Sequence, residues 1–103
     1  MGATTFVKTI TTEKSAVEAF RDLRAAALYE HGHGGYTGTI AEKQEYIMIT
    51  WTRMPVTEAA ALANKLLDQD DDRVSDKWGP AGCIPINTPD NKNGWLFFGW
   101  ASE

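Results

Sequence analysis

The part of the sequence best suited to chemistry is residues 31–39, called here the glycine segment. It contains four glycines, two histidines, one tyrosine and two threonines. Glycine permits positive φ, so successive main-chain N–H groups can surround an anion, and the other side chains add donors. The segment therefore predicts a pocket for a phosphate, a carboxylate or a nucleotide edge. Its predicted ligand-binding residues are His31, His33, Gly34, Gly35, Tyr36, Thr37 and Thr39.

A simpler interpretation is that Gly32 ends a helix and the remaining glycines form a turn. The segment matches neither Gly-x-x-x-x-Gly-Lys-Ser/Thr nor a Gly-x-Gly-x-x-Gly that opens a helix. It also follows a helix, whose C-terminal dipole end repels anions. The sequence leaves the pocket and the turn both open.

A second loop, Asp76–Cys83, carries Lys77 and Trp78 ahead of two glycines and a proline. An indole stacks on a ligand ring and an ammonium meets a charge, so both residues join the predicted site. The alternative is that Trp78 only covers the edge of the core.

Metal binding by His31, His33 and Cys83 is a further hypothesis, because imidazole and thiolate are ligands that zinc and copper prefer. No further ligands follow at a recognisable spacing, so no metal and no cofactor is predicted. Catalysis by His33 with Tyr36 or Thr39 would suit a small hydrolase or transferase. Nothing resembles a nucleophile elbow, and Cys83 reads as a buried thiol. The sequence favours a non-enzymatic role with no catalytic residues.

The acidic run Asp68–Asp76 begins like a calcium loop, but Arg73 occupies the glycine position of that motif. It reads either as a solvated end of a helix or as an acidic contact surface for a basic partner protein.

Around these segments, hydrophobic patterns predict the elements that must position them. Thr4–Thr11 reads as a strand, and Ser15 with Glu18 forms a capping box for a helix over Lys14–Glu30. Tyr36–Glu42 and Glu45–Arg53 are expected to form a hairpin of two strands.

The second half of the chain predicts a helix and a closing hairpin. After Pro55, Thr57 is expected to cap a helix that ends near Asp68. Apolar runs at Cys83–Ile86 and Trp95–Ala101 then flank an Asn93-Gly94 turn signal.

This order predicts one α+β domain over residues 1–103. It matches the ferredoxin-like βαββαβ sandwich with an extra C-terminal strand, a mainly antiparallel sheet and two helices on one face. Trp51, Trp95, Phe97 and Trp100 are expected to form an apolar sheet face that favours a homo-oligomer.

The chain has 103 residues, a net charge of −4 and one cysteine. The negative charge disfavours generic nucleic-acid binding. No apolar stretch approaches the ~20 residues that span a bilayer, and no targeting signal is recognised at the start. A lone cysteine fits a reducing compartment, so the expected location is the cytoplasm.

The segments Gly35–Lys43 (GYTGTIAEK), Gly79–Cys83 (GPAGC) and Phe97–Ala101 (FFGWA) resemble uncharacterised small proteins of phages and bacteria. The resemblance implies a phage accessory protein that acts in the host cytoplasm by sequestering a signalling nucleotide or by blocking a host defence complex. Residues and resemblance together give the leading hypothesis, a non-enzymatic binding protein for a small anionic ligand such as a nucleotide. An acidic inhibitor of a host defence protein is the alternative, and a hydrolase or transferase using His33 is the third.

Overall fold

The computed structural model describes residues 2–32 and 35–103. The elements are β1 (Ala3–Thr11), α1 (Ala16–His31), a short 3-10 helix (Ile40–Glu42), β2 (Tyr46–Met48), β3 (Met54–Pro55), α2 (Val56–Asp68), β4 (Ala81–Asn87) and β5 (Asn93–Ser102). Two helices and a mostly antiparallel five-stranded sheet confirm the predicted α+β class, consistent with a ferredoxin-like fold that carries an extra strand.

The sheet is built around β5, its longest strand. β5 pairs antiparallel with β1 on one side and with β4 on the other. β2 and β3 both pair parallel with β4, so the strand order is β1, β5, β4, then β2 and β3 side by side along β4. β1 therefore forms one complete edge of the sheet.

The two helices cover opposite faces of this sheet, which corrects the expectation that both lie on one face. Phe97 packs in the cluster beneath α1, whereas Phe98 packs in the cluster beneath α2. Consecutive strand residues point to opposite faces, so the two clusters lie on the two sides of β5. The coverage of both faces explains the continuous apolar runs of β4 and β5, because a central strand that is buried on both sides does not alternate apolar with polar residues.

The predicted hairpin between Tyr36–Glu42 and Glu45–Arg53 does not form. The first segment is a loop that ends in the short 3-10 helix, where Thr39 Oγ1 accepts a hydrogen bond from the Ala41 N–H. Of the second segment only Tyr46–Met48 forms a strand, β2, and the bend that follows leaves Trp51 82% exposed. β3 begins at Met54, beyond the predicted segment. The β-branched residues gave a strand signal, but local side-chain hydrogen bonds stabilise a different backbone.

Both predicted helices form, and α1 runs over Ala16–His31 where the sequence predicted Lys14–Glu30. Ser15 caps α1, and its Oγ accepts a hydrogen bond from the Glu18 N–H at 3.4 Å. α2 ends at Asp68 as predicted, but it begins at Val56, before Thr57. The predicted Thr57 cap is wrong, since Pro55 stands at the N-cap and no side chain caps the helix.

The closing hairpin is confirmed, although its turn is misplaced by the sequence. The turn lies at Thr88–Lys92, where the Thr88 N–H donates to the Lys92 carbonyl, and Asn93 and Gly94 already belong to β5. A Cβ on Gly94 would lie 2.2 Å from the Ile10 carbonyl oxygen. Gly94 is therefore needed for the close approach of β1.

The predicted oligomerisation face is not present as one surface. Phe97 is fully buried beneath α1, and Trp100 packs on the opposite face of the sheet. Trp95 packs on the α1 side and donates its indole N–H to the Lys14 carbonyl. Oligomerisation itself stays a prediction. Within the described residues, neither helix has the length and hydropathy needed to cross a membrane.

Candidate ligand-binding cleft

The structure brings the two loops singled out by the sequence into contact. The Tyr36 and Trp78 rings meet edge to face, with centroids 6.2 Å apart. Both rings are exposed, Tyr36 by 50% and Trp78 by 62%. Large aromatic side chains usually bury most of their surface, so two half-exposed rings in contact indicate a candidate binding surface.

An open cleft of about 550 Å³ lies beside these rings. Its walls come from α1, the glycine segment, the short 3-10 helix and the loop before β4. The lining residues are Arg24, Leu28, Gly35, Ala41, Glu42, Gln44 and Trp78. The volume is within the range of small-molecule sites, and the lining combines apolar side chains with a few polar ones.

The described part of the glycine segment contains the positive-φ residues that its composition predicted. Gly35 and Gly38 have φ of 77° and 73°, and Tyr36, which has a Cβ, has φ of 60°. A non-glycine residue in this region costs free energy and needs its surroundings to hold it. The Gly38 N–H donates to the Ser102 carbonyl, so the segment is fixed to the end of β5.

One main-chain donor of the glycine segment, the Thr37 N–H, binds Glu42 and not an external anion. Its Oε2 accepts hydrogen bonds from the Thr37 hydroxyl at 2.7 Å and from the Thr37 N–H at 3.1 Å. Burial alone would raise the pKa of Glu42, but its hydrogen bonds, those from Thr37 first among them, together keep that pKa below its ordinary value. The predicted anion cradle therefore holds a carboxylate of the same chain.

Lys43 secures the loop before β4 from the interior of the protein. Its side chain is fully buried, and Nζ donates to the carbonyls of Asp76, Lys77 and Gly79 at 3.3, 3.3 and 3.0 Å. Burial lowers the pKa of Lys43 to about 8, while the nearby Asp76 charge acts in the opposite direction. An ammonium has three donors, so these carbonyls satisfy all of them.

Arg24 and Gln44 complete the polar lining. Arg24 Nε donates to the Lys43 carbonyl at 2.6 Å, and the two terminal nitrogens of Arg24 have no hydrogen-bond partner within residues 2–32 and 35–103. The sequence did not single out either residue. Arg24 and Leu28 are one helical turn apart on α1, and this spacing is a signal only once the neighbouring loops are placed.

The other predicted site residues are distributed over several places. Thr37 and Thr39 hydrogen-bond each other at 2.8 Å and do not line the cleft. Thr39 and His31 line a separate depression between α1 and β1. Lys77 lies beside the cleft, with Nζ 5.5 Å from the centre of the Trp78 ring. His33 and Gly34 lie outside the described residues.

The acidic run and Cys83 were the other candidates from the sequence, and the structure gives their surroundings. Asp71 pairs with Arg73 at 2.9 Å, and Asp76 Oδ1 accepts the Trp78 N–H, so two acids of the run act locally. Cys83 is buried, which raises its pKa to about 12 and keeps the thiol protonated at neutral pH. Over residues 2–32 and 35–103, no three His, Cys, Asp or Glu side chains are grouped as metal ligands.

Comparisons with protein-family models, with curated proteins and with solved structures gave no match.

Proposed function

We propose that this protein binds a small planar anionic ligand, of which a nucleotide is the leading example, in the cleft beside Trp78. The contact between Tyr36 and Trp78 at the mouth of that cleft is the observation that carries the proposal. An exposed indole stacks on any aromatic ring, and base stacking on an aromatic side chain contributes about 1–3 kcal/mol per base.

The charges around the cleft determine the orientation in which the ligand binds. Glu42 lines the interior and repels an anion, but its carboxylate accepts hydrogen bonds from the N–H groups of a ring. Arg24 lines the cleft and Lys77 lies beside it, so both supply positive charge there. The ligand therefore places its ring against Trp78 and Glu42 and its anionic group beside Arg24 and Lys77. This differs from the glycine cradle first expected, because Glu42 engages those donors.

The test is isothermal titration calorimetry against a panel of mono-, di- and cyclic nucleotides, with Trp78→Ala and Trp51→Ala as a matched pair. Trp51 is also exposed, but it lies in the bend between β2 and β3. We expect Trp78→Ala to weaken binding by about 5- to 150-fold, the loss of one stacked base. Trp51→Ala should bind as the natural sequence does. Absence of heat with every nucleotide, or equal binding by the two variants, contradicts the proposal.

A charge control separates the anionic group from the ring. Lys77→Gln should weaken a nucleotide more than the corresponding nucleoside, because only the nucleotide carries phosphate. Lys92→Gln, in the exposed turn before β5, should change neither affinity. If Lys77→Gln affected both ligands equally, the phosphate would not lie beside Lys77.

A further inference from the structure

The outer edge of β1 is a complete row of unpaired backbone groups. The Thr12 N–H donates to the Asn93 carbonyl, and the Glu103 N–H donates to the Gly2 carbonyl. These two bonds fix the phase of the antiparallel ladder, in which every second residue bonds the partner strand. The even-numbered residues of β1 therefore bond β5, and the odd-numbered residues direct their N–H and C=O groups outward.

Five residues form this outward row, and all five are exposed: Ala3, Thr5, Val7, Thr9 and Thr11. No backbone hydrogen bond joins them to any other part of the chain that the structure describes. The register with β5 runs without interruption over all nine residues of β1, so the edge has no bulge. It has no proline, and Lys8 is its one charged residue.

The opposite edge of the sheet differs in each of these respects. It consists of the three-residue β2 and the two-residue β3, separated by a bend and ended by Pro55. Proteins protect exposed edges with short strands, bends and proline, because an open edge pairs with another chain. Apart from the single charge of Lys8, β1 has no such protection, and it is long enough to add another strand.

The residues of β1 are complementary to themselves when the strand is reversed. In an antiparallel pair centred on Val7, Val7 faces Val7 of the second copy and Thr5 faces its Thr9. Lys8 then faces Phe6 of the second copy and not its like charge. Every outward N–H and C=O of the five residues finds a partner in this register, and threonine and valine suit such cross-strand pairs.

We propose that two copies of this chain pair through β1, antiparallel around a twofold axis at Val7, to form one continuous ten-stranded sheet. The partner is a second copy because the row matches itself in hydrogen bonds, side chains and charge. The proposal is independent of ligand binding, since the cleft lies at the opposite side of β5, toward β4.

Sedimentation velocity with two double variants tests both the surface and the register. Thr5→Lys with Thr9→Lys places like charges opposite each other across the axis, whereas Thr5→Lys with Thr9→Glu places opposite charges there. The two positions lie on one strand about 13 Å apart, so the charges scarcely interact within one copy. We expect the lysine pair to raise the dimer dissociation constant at least about tenfold relative to the lysine–glutamate pair. A natural chain that stays monomeric at millimolar concentration, or equal dissociation constants for the two variants, overturns the proposal.

Cross-linking provides a second measurement that does not depend on affinity. Cα atoms of a hydrogen-bonded antiparallel pair are about 5.5 Å apart, within disulfide range, so Val7→Cys should link to itself on oxidation. Thr9→Cys is the control, because its counterpart lies more than about 13 Å away in this register. The natural Cys83 is buried and does not compete. Linking of Thr9→Cys as fast as Val7→Cys would overturn the register.

Discussion

A buried or half-buried cation binds main-chain carbonyls at each end of the sheet, but the two ends are built differently. Arg53 Nη1 donates to the carbonyls of Ile86 and Gly94 at 2.7 and 2.8 Å. Those residues already face each other in the ladder between β4 and β5. Lys43 instead binds a loop that has no ladder. The carbonyls of Lys77 and Gly79 accept no other hydrogen bond from the described residues.

The Arg53 end is held by strand pairing, whereas the loop at the Lys43 end is held by the side chain of one lysine. At the Arg53 end, strand pairing persists if the cation is removed, and the guanidinium adds to it while lying 5.1 Å over the Trp95 ring. At the Lys43 end, the loop that carries Trp78 has no strand pairing, and the Lys43 side chain binds three of its carbonyls. The candidate cleft thus lies where local stability rests on a buried lysine, as binding loops often have low local stability.

The largest expected difference is in how well the Arg53 end and the Lys43 end of the sheet tolerate an added methyl group. Gly94→Ala should lower the free energy of unfolding by more than about 3 kcal/mol, because the Cβ would overlap the Ile10 carbonyl and β1 would have to move. Gly35→Ala meets no atom closer than 3.9 Å and costs only the positive φ, about 1–2 kcal/mol. Urea unfolding of both variants measures the difference. Equal losses would show that the Arg53 end is not the tighter one.

The next effect is a pH dependence that distinguishes Lys43 from Arg53. Its pKa is about 8 in the folded protein against 10.5 for the free side chain, so the folded state holds fewer protons within this window. The free energy of unfolding should therefore rise with pH from about 8 to 10.5, by about 3 kcal/mol, relative to Lys43→Met. Below pH 8 the difference should be constant, because both states are protonated.

Arg53→Met is the control for that titration. A guanidinium stays protonated throughout this window, so the difference between Arg53→Met and the natural chain should not vary with pH. The raised pKa of Cys83 lowers stability above its ordinary value of 9.0, but it acts equally in all three proteins. A flat difference for Lys43→Met would mean that its ammonium is not desolvated.

A smaller effect is expected in local opening. Loss of hydrogen bonds to a charged group costs about 1.5–3 kcal/mol, so Lys43→Met should speed amide exchange at Trp78 and Gly79 by about 10- to 150-fold at neutral pH. In Arg53→Met, exchange at Ile86 should change by less than about fivefold, because its ladder bond remains. Hydrogen exchange followed by NMR measures both. A larger acceleration of exchange at Ile86 in Arg53→Met than at Trp78 in Lys43→Met would contradict this difference between the two ends.

The sequence predicted the elements better than their packing. β1, α1, α2 and the final hairpin carry strong periodic or capping signals, and all four form. The prediction placed both helices on one face because it did not take account of the continuous apolar runs in β4 and β5. Such runs indicate a sheet that is covered on both sides. The strand predicted at Tyr36–Glu42 failed because Thr37, Thr39 and Glu42 bond each other, a pattern that propensity does not register.

For the candidate site, the sequence identified the loops but not what holds them. Gly35, Tyr36 and Trp78 were chosen from composition, and the structure brings them to one place. Lys43 could not be recognised, because a lysine near the end of a loop is ordinarily solvated and its burial follows from tertiary packing. Glu42 was missed for the same reason. The donors of the glycine segment were identified, but their partner within the chain was not.

Glu42 and Lys43 are consecutive residues, yet one side chain fixes the glycine segment and the next fixes the loop before β4. Inserting or deleting one residue between Glu42 and Lys43 would change the side toward which each of these side chains points. The glycine segment and the loop before β4 would then both lose their hydrogen bonds to this pair. The turn at Thr88–Lys92 can change its length without touching either wall. Among related chains we therefore expect length variation in that turn and none between positions 42 and 43.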